Sequence, residues 1–156
     1  MEQVMKATAQ FKPTYWEAHP GFNNLKEETT REVNDAANFV TIVPTLTMVD
    51  RAKVLPLLVE LTKAVQQNEP GCLYYQMIFN GDQWQFREAY EDAAAAQFHL
   101  DNNKALIEQL LEKDVATLDS IQLHASPKSL ERLKESFDAL GAEYVAIDHG
   151  FSRYRK

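Results

Sequence analysis

A β-hairpin signal in the middle of the chain constrains the fold more than any other feature. Two runs rich in apolar and aromatic residues, 72–79 and 83–90, flank the dipeptide Asn80-Gly81. This dipeptide is favoured in tight hairpin turns because both residues tolerate a positive φ angle. Successive side chains of a strand point to opposite faces. On the returning strand, the side chains that share one face are Trp84, Phe86, Glu88 and Tyr90.

Helical spacing of apolar residues is visible on both sides of the hairpin. Before it, one stripe at i, i+4, i+7 and i+11 predicts a helix that ends at the turn 69–71. After it, Asp92 is a good N-cap before four alanines, so a second helix begins there. We expect the polar run 101–103 to interrupt this second helix. The stripe of the first helix is Val54, Leu58, Leu61 and Val65.

Two further strands complete the central pattern. The β-branched run 39–48 predicts a strand, and Pro44 places it at a sheet edge or at a bulge because proline cannot donate to the ladder. Residues 115–124 predict another strand. The resulting order, β-α-β-β-α-β, is that of a ferredoxin-like α+β fold, an antiparallel sheet with both helices on one face.

The two ends of the chain lie outside this six-element pattern. We expect residues 1–37 to form an N-terminal extension, with a solvent-facing helix over 25–37. Residues 38–125 form the ferredoxin-like domain. Residues 126–156 form a C-terminal αβ extension, in which the helix begins at Ser126-Pro127 and the strand extends the sheet or crosses to a partner subunit.

Composition excludes several classes of function. The 156 residues carry a net charge of −7, and a negative field repels phosphate backbones, so we expect no nucleic-acid partner. No apolar run reaches the roughly 18 residues that a membrane span requires, and the N-terminus lacks the apolar stretch of a signal peptide. The single cysteine, Cys72, excludes an intrachain disulfide. A cytoplasmic protein without a membrane partner is therefore predicted.

One face of the predicted sheet has no helix to cover it. We expect this bare face to carry Trp84, Phe86 and Tyr90 or their neighbours. An apolar face of that size is not left in water. The sequence therefore predicts a homodimer in which two sheets pack face to face.

The stretch from residue 38 to 113 resembles an antibiotic biosynthesis monooxygenase (ABM) domain. The matching motifs are Glu69-Pro70-Gly71-Cys72, Tyr75, Glu88-Ala89-Tyr90, Ala93 to Ala96 and His99. The family usually has Trp at the position of Tyr90. The resemblance implies a ferredoxin-like fold that pairs as a dimeric α/β barrel. The family also contains haem-degrading enzymes, but residues 107–111 lack the axial histidine that this branch needs.

His99 and Glu88 are the candidate catalytic residues. Imidazole titrates near neutral pH, so His99 is able to exchange a proton with a substrate oxygen. In this functional role we expect His99 to be partly exposed on its helix. The alternative is a helix histidine that caps or packs between strand and helix. A buried Glu88 without a partner would be costly, so we expect a ligand or a basic partner such as Arg153. The resemblance places His99 beside Glu88 and Tyr90.

Aromatic side chains are the candidate substrate-binding residues. Trp84, Phe86 and Tyr90 would stack on a flat phenolic or quinoid ring, and the alternative is that they form the core of the barrel. Tyr74 and Tyr75 point to opposite faces, so one of them reaches the site. The resemblance favours Tyr75 as a structural position of the family, and the sequence leaves open which tyrosine lines the site.

The sequence predicts neither a cofactor nor a metal. With 5 glycines in the chain there is no Gly-rich loop for a phosphate. His124 and His149 lack a third ligand, and two histidines make a poor metal site. Cys72 has no adjacent basic residue and is expected to be a small packed side chain.

Three functions fit these residues. The first is a cofactor-independent monooxygenase for a small aromatic, quinol-type substrate, in which the substrate itself supplies electrons to O₂ and the protein removes a proton and excludes water. The second is a non-catalytic dimeric barrel that binds a small apolar ligand. The third is an isomerase or lyase of the same superfold, because one superfold hosts many reactions.

Overall fold

The structure is a computed structural model that describes residues 39–148. It also describes the backbone of four short terminal strands. These are β1 (Glu17–Ala18), β2 (Phe22–Asn23), β3 (Thr29–Glu32) and β9 (Phe151–Tyr154).

The central region contains five strands and three helices. The strands are β4 (Val40–Met48), β5 (Cys72–Asn80), β6 (Gln83–Tyr90), β7 (Ala116–Ala125) and β8 (Glu143–Ala146). The helices are α1 (Arg51–Asn68), α2 (Ala93–Leu110) and α3 (Pro127–Phe137), which continues into a 3₁₀ turn over Asp138–Leu140.

The sheet has the connectivity that the sequence predicts. The strand order is β1-β5-β6-β4-β7-β8, and β2 also pairs with β5. The four strands β5, β6, β4 and β7 pair antiparallel with one another, which confirms the ferredoxin-like α+β fold. Strand β8 joins β7 in parallel, so the C-terminal αβ unit extends this sheet. The domain boundaries after residues 37 and 125 stay predictions.

Capping residues define where the helices begin. Asp50 accepts hydrogen bonds from the backbone N–H groups at the start of α1, and Asp92 accepts one from Ala95. Ser126 caps α3, with Pro127 in its first turn. These caps satisfy N–H groups that have no partner within the helix. No helix within the described residues has the length and apolar character needed to span a membrane.

Two local features differ from the sequence predictions. The hairpin loop is Gly81-Asp82, because Asn80 already pairs with Gln83. Of the two loop residues, only Gly81 has a positive φ, of 66°. Strand β4 is central, between β6 and β7, so the edge position predicted from Pro44 is wrong. A bulge in β7 opposite Thr45 and Leu46 shifts the register of the pairing next to Pro44. The alternative prediction, a bulge at this proline, is therefore confirmed.

Two predicted helical features are also wrong. Helix α2 continues through 101–103 without interruption, because the amides of Asn102 and Asn103 donate to a buried carboxylate of another segment. In the region 25–37, residues Thr29–Glu32 form a strand that pairs with Phe151–Tyr154. The pairing partner lies more than a hundred residues away, where no local pattern can indicate it.

The prediction of a bare aromatic face is wrong. Trp84, Phe86 and Tyr90 lie on the face that the helices cover, and they are buried within a single chain. The uncovered face carries half-buried or exposed polar side chains instead, among them Thr45, Gln85, Arg87 and Gln122. Alternation shows which residues share a face, but it does not show on which face the helices pack.

Candidate functional site

His99 lies in the core between two carboxylates. It is 4% exposed, so the expected partial exposure is wrong. Its Nδ1 atom is 2.9 Å from Oε2 of Glu69, and its Nε2 atom is 3.4 Å from Oε2 of Glu88. Helix α2 supplies the histidine, the end of α1 supplies Glu69 and strand β6 supplies Glu88. Three separate elements therefore assemble one buried charged cluster.

Glu69 is the most fully bonded carboxylate of this cluster. Its Oε2 atom receives the hydrogen bond from His99, and its Oε1 atom accepts from Asn102 Nδ2 at 2.9 Å and Asn103 Nδ2 at 2.5 Å. The donors His99, Asn102 and Asn103 lie three and four residues apart, so they project from the same side of α2. This spacing fixes the side chain of Glu69 against the helix.

Glu88 is bonded on one oxygen. The hydroxyl of Tyr90 donates to Oε2, which also faces His99. Among the described residues, no side chain or backbone group donates a hydrogen bond to Oε1 of Glu88. A carboxylate oxygen carries lone pairs that accept a proton or a hydrogen bond, so Glu88 is a candidate acceptor for a bound molecule.

The charges in the cluster set the protonation of His99. Burial alone would lower the pKa of His99, but the carboxylates of Glu88 and Glu69 outweigh burial and raise it. Burial would likewise raise the pKa of Glu69, yet hydrogen bonds from His99, Asn102 and Asn103 hold it below its usual value. An imidazolium that donates from Nδ1 to Glu69 and forms an ion pair with Glu88 satisfies these directions.

For Glu88 and the neighbouring tyrosines, burial has the largest effect on the pKa values. Burial raises the pKa of the Glu88 carboxyl, and the contacts with His99 and Tyr90 offset this in part. Burial and the adjacent Glu88 also raise the pKa values of Tyr75 and Tyr90, which keeps both phenols neutral. Glu88 is therefore the carboxyl of the cluster whose proton affinity is increased.

An apolar cavity of about 60 Å³ adjoins the cluster. Four of the sequence-predicted site residues line it: His99, Glu88, Tyr75 and Phe86. Trp84 and Tyr90 are buried nearby but are not part of the lining. The remaining wall is formed by aliphatic side chains and Phe137, so Glu88, His99 and the Tyr75 phenol are the ionisable groups of this lining.

Aromatic contacts hold the predicted binding residues in one group. The ring of Tyr75 lies 5.4 Å from that of Phe86 and 5.8 Å from the His99 imidazole. The ring of Tyr90 lies 5.2 Å from the imidazole. Trp84 contacts this group through Phe86, at 6.4 Å between ring centroids. Tyr75, rather than the half-buried Tyr74, is thus the tyrosine that reaches the cavity.

The described residues contain no group of three or more His, Cys, Asp or Glu side chains arranged to hold a metal ion. His124 lies on β7, on the uncovered face, and His149 lies outside the described residues. Burial, with Glu88 and Glu69 nearby, raises the pKa of the Cys72 thiol. A thiol of raised pKa is a poor nucleophile at neutral pH, which agrees with its expected packing role.

Sequence reasoning missed Glu69, Asn102 and Asn103. In the sequence, Glu69 belongs to a turn motif, 69–71, that indicates a helix stop, and the two asparagines indicate a helix break. A signal was present, because two amides three and four residues after His99 on one helix face are unusual inside an amphipathic helix and need a polar partner. Among the described residues, the basic partner of Glu88 is His99. The side chain of Arg153, the partner expected from the sequence, lies outside the described residues.

Comparisons with known proteins agree with this architecture. Residues 50–106 match the sequence model of the family described as antibiotic biosynthesis monooxygenase, a stretch that contains Glu69, Glu88 and His99. No curated protein sequence matches the chain. The crystal structure of MupZ from Pseudomonas fluorescens is similar, with a TM-score of 0.68 and 23% sequence identity, over 75% of this chain and 91% of MupZ.

A second solved structure is more distant. It belongs to a Caulobacter crescentus CB15 protein whose name places it among the antibiotic biosynthesis monooxygenases. It has a TM-score of 0.47 and 23% identity, over 56% of this chain and 88% of that one. At 23% identity, the similarity to MupZ bears on the fold alone. The match over residues 50–106 to the antibiotic biosynthesis monooxygenase model confirms the resemblance seen in the sequence over that stretch.

Proposed function

We propose that the protein is a cofactor-independent monooxygenase that acts on a small, electron-rich aromatic of the quinol type. The observation that supports this most directly is the position of Glu88, a buried carboxyl that lines a cavity whose wall is mostly apolar. The match of residues 50–106 to the ABM family model agrees with such chemistry.

Proton removal is the first step of the proposed reaction. Glu88 Oε1 takes the proton of a phenolic hydroxyl, which a carboxylate of raised pKa does more readily than an ordinary one. Tyr90 and His99 hold the other oxygen and orient the carboxylate. Both nitrogens of His99 already face carboxylates, so His99 acts here as a positioning residue that Glu69 holds in place.

Oxygen transfer then needs no electron donor other than the substrate. A quinol with a free ring position reacts with O₂ to give a hydroxyquinone and water. One ring C–H and both phenolic O–H bonds break, one oxygen atom forms the new C–O bond and takes one hydrogen as a hydroxyl, and the other oxygen atom leaves as water with the other two hydrogens. The substrate loses four electrons and O₂ gains four. The apolar cavity wall excludes bulk water from the reactive phenolate.

The size of the cavity limits what reaches Glu88. Its volume of about 60 Å³ is far below the roughly 300 Å³ at which ligand pockets usually begin. We infer that at most one ring enters, by displacing half-buried aliphatic side chains such as Leu118. Any further part of the substrate has to lie outside the cavity.

Oxygen uptake with simple hydroquinones and catechols tests this function. Glu88→Gln should lower turnover about 10²–10⁴-fold, the usual contribution of one general base. Glu91→Gln is the matched control, because Glu91 is exposed and lies three residues further along. Absence of oxygen uptake with every substrate would contradict the proposal. Ligand binding without turnover would then favour the non-catalytic barrel, and proton exchange without oxygen uptake would favour an isomerase or lyase.

We also propose that two copies of the chain pair through the uncovered face of the sheet. That face includes the half-buried apolar side chains Val43 and Ile78. Dimeric pairing is what the family resemblance implies. Light scattering at micromolar concentration should give twice the chain mass for the wild type and a lower mass for Val43→Arg. A wild-type monomer would contradict the proposal.

A cytoplasmic location is part of the same proposal. Cys72 is a buried free thiol, which a reducing compartment preserves. Fractionation of the source cells with an antibody to the chain should place the protein in the soluble cytoplasmic fraction. Recovery from a secreted or membrane fraction would contradict this.

A further inference from the structure

A surface groove adjoins the buried cavity. It has a volume of about 600 Å³ and lies between α2 and the C-terminal segment formed by α3 and the 3₁₀ turn. The same four half-buried aliphatic side chains line both the groove and the cavity. They are Leu100, Ile107, Leu111 and Leu140. One layer of side chains thus separates the outside of the protein from Glu88 and His99.

The groove has two chemical zones. Its floor is formed by the four shared aliphatic side chains together with Ala139. Its rim is polar. The rim residues are Gln97, Asp101, Lys104, Glu108 and Ser136. An apolar floor within a polar rim fits a slender aliphatic group whose far end reaches water.

The C-terminal segment supplies one wall of both spaces. Phe137 lines the cavity and Leu140 lines the cavity and the groove, and both lie outside the stretch 50–106 that matches the family. The wall is tied to α2 by a hydrogen bond from Ser136 Oγ to Gln97 Oε1, at 2.5 Å. The positive φ of Gly141, 69°, ends the 3₁₀ turn immediately after Leu140. The position of Leu140 is therefore fixed by the fold.

We propose that this groove binds an aliphatic side chain carried by the aromatic ring of the substrate, and that Leu140 determines how long a side chain is accepted. The inference rests on the proposed function of the cavity, because the ring has to reach Glu88. The cavity holds at most the ring, whereas the adjoining groove is about ten times larger and has an apolar floor. The substrate class is thus an alkyl-substituted quinol rather than a bare ring.

Anaerobic calorimetric titration of the full chain with 2-alkyl hydroquinones of increasing length tests the groove. In the wild type, Kd should fall about threefold to fourfold for each added methylene until the groove is filled. Leu140→Trp should abolish this dependence on length. Ala139→Trp, at an exposed position of the floor, should weaken it and serves as a second variant if Leu140→Trp does not fold. Val59→Trp, at an exposed position on α1, is the control and should change nothing.

The outcome separates the groove from the reaction. A Kd that depends on chain length and loses that dependence in the Trp variants supports the groove even if no oxygen is consumed, which would overturn the proposed reaction alone. A Kd that is the same at every chain length, or that neither tryptophan in the groove alters, would overturn the groove assignment even if simple quinols are oxidised.

Discussion

The two faces of the sheet are formed by the same strands but differ in exposure. One face is buried under the helices, and the other carries half-buried or exposed polar side chains. On β6, Trp84 and Glu88 point under the helices and are 0% and 3% exposed, whereas Gln85 and Arg87 point to the uncovered side. Adjacent residues of one strand thus belong to a dry interior with a charged cluster and to a polar surface. The position of the helices, and not strand composition, decides which set becomes the candidate site.

Two carboxylates show what this difference means physically. Glu69, under the helices, accepts hydrogen bonds from three side chains at 2.5–2.9 Å. Asp119, at the bulge of β7, also accepts from three, at 2.7, 3.1 and 3.4 Å, but it is exposed. Water replaces the partners of an exposed carboxylate at little cost, whereas a buried donor that loses its acceptor keeps its desolvation penalty. The number of hydrogen bonds therefore does not set their energetic weight.

The largest expected effect comes from the aromatic residues of the covered face. Trp84→Ala should lower the free energy of unfolding by about 3–5 kcal/mol, because a fully buried indole is replaced by a cavity. Gln85→Ala, the adjacent residue on the other face, should change it by less than about 0.5 kcal/mol. Urea unfolding followed by circular dichroism measures both. Similar losses for the two variants would show that the faces do not differ as described.

Much of the local structure was predictable from the sequence. The hairpin, the caps at Asp92 and Ser126 and the stripe of α1 rest on neighbours within a few residues, and each was correct. The hairpin loop was misplaced by one residue, because the sequence shows a turn-prone dipeptide but not the pairing of Asn80 with Gln83. Local signals therefore place elements well and registers less well.

The candidate site was predictable only in part, because it depends on contacts between residues that are far apart in the chain. Glu88 and His99 were identified as ionisable groups on periodic elements, and the structure brings them within 3.4 Å. Glu69 was missed because its role depends on α2, thirty residues away, which no local pattern indicates. The face of the sheet on which the aromatics lie was missed because it depends on how the helices pack.

The next largest effect is expected for the buried carboxylate. Glu69→Gln should lower the free energy of unfolding by about 1–3 kcal/mol, since the amide keeps the shape but leaves the buried His99 imidazolium without its counter-charge. It should also lower the pKa of His99, because Glu69 is one of the two carboxylates that raise it. Urea unfolding and an NMR titration of the histidine measure the two effects.

Asp119→Asn is the matched control for this carboxylate. It also exchanges a carboxylate with three hydrogen-bond donors for an amide, but on the exposed side. Its effect on stability should stay within about 0.5 kcal/mol, and the pKa of His99 should not change. If Asp119→Asn destabilises the protein as much as Glu69→Gln, burial does not account for the difference between the two sites.

The effect of pH on the free energy of unfolding should be smaller than the effects of Trp84→Ala and Glu69→Gln. It should come from the buried ionisable side chains on the covered face. His99 and Glu88 have raised pKa values, so the folded state holds their protons more tightly than the unfolded state. Their contribution is fully present below the unfolded pKa values and is lost as pH rises through the folded ones, by about 1.4 kcal/mol for each pH unit that separates the two values. Glu69, whose pKa is lowered, acts oppositely and loses its contribution as pH falls through its folded pKa.

Urea unfolding between pH 5 and 9 checks these signs. Relative to wild type, His99→Gln should remove the part of the decline that occurs as pH rises through the histidine pKa. Asp119→Asn should leave the decline unchanged. The opposite result would be a free energy of unfolding that rises through this pH range for the wild type but not for His99→Gln. It would show that the fold disfavours the imidazolium.

The smallest effect is expected for a hydrogen bond across the uncovered face. Gln85 Nε2 donates to Thr45 Oγ1 at 3.1 Å, between β6 and β4. A double-mutant cycle of Gln85→Ala and Thr45→Ala should give a coupling of about 0.2–0.5 kcal/mol, the lower part of the range for cross-strand pairs. If a second chain covers this face, water is excluded from the pair and unfolding is linked to dissociation. The coupling and the midpoint should then both rise with protein concentration, whereas a cycle that is independent of concentration would mean that this face stays in water.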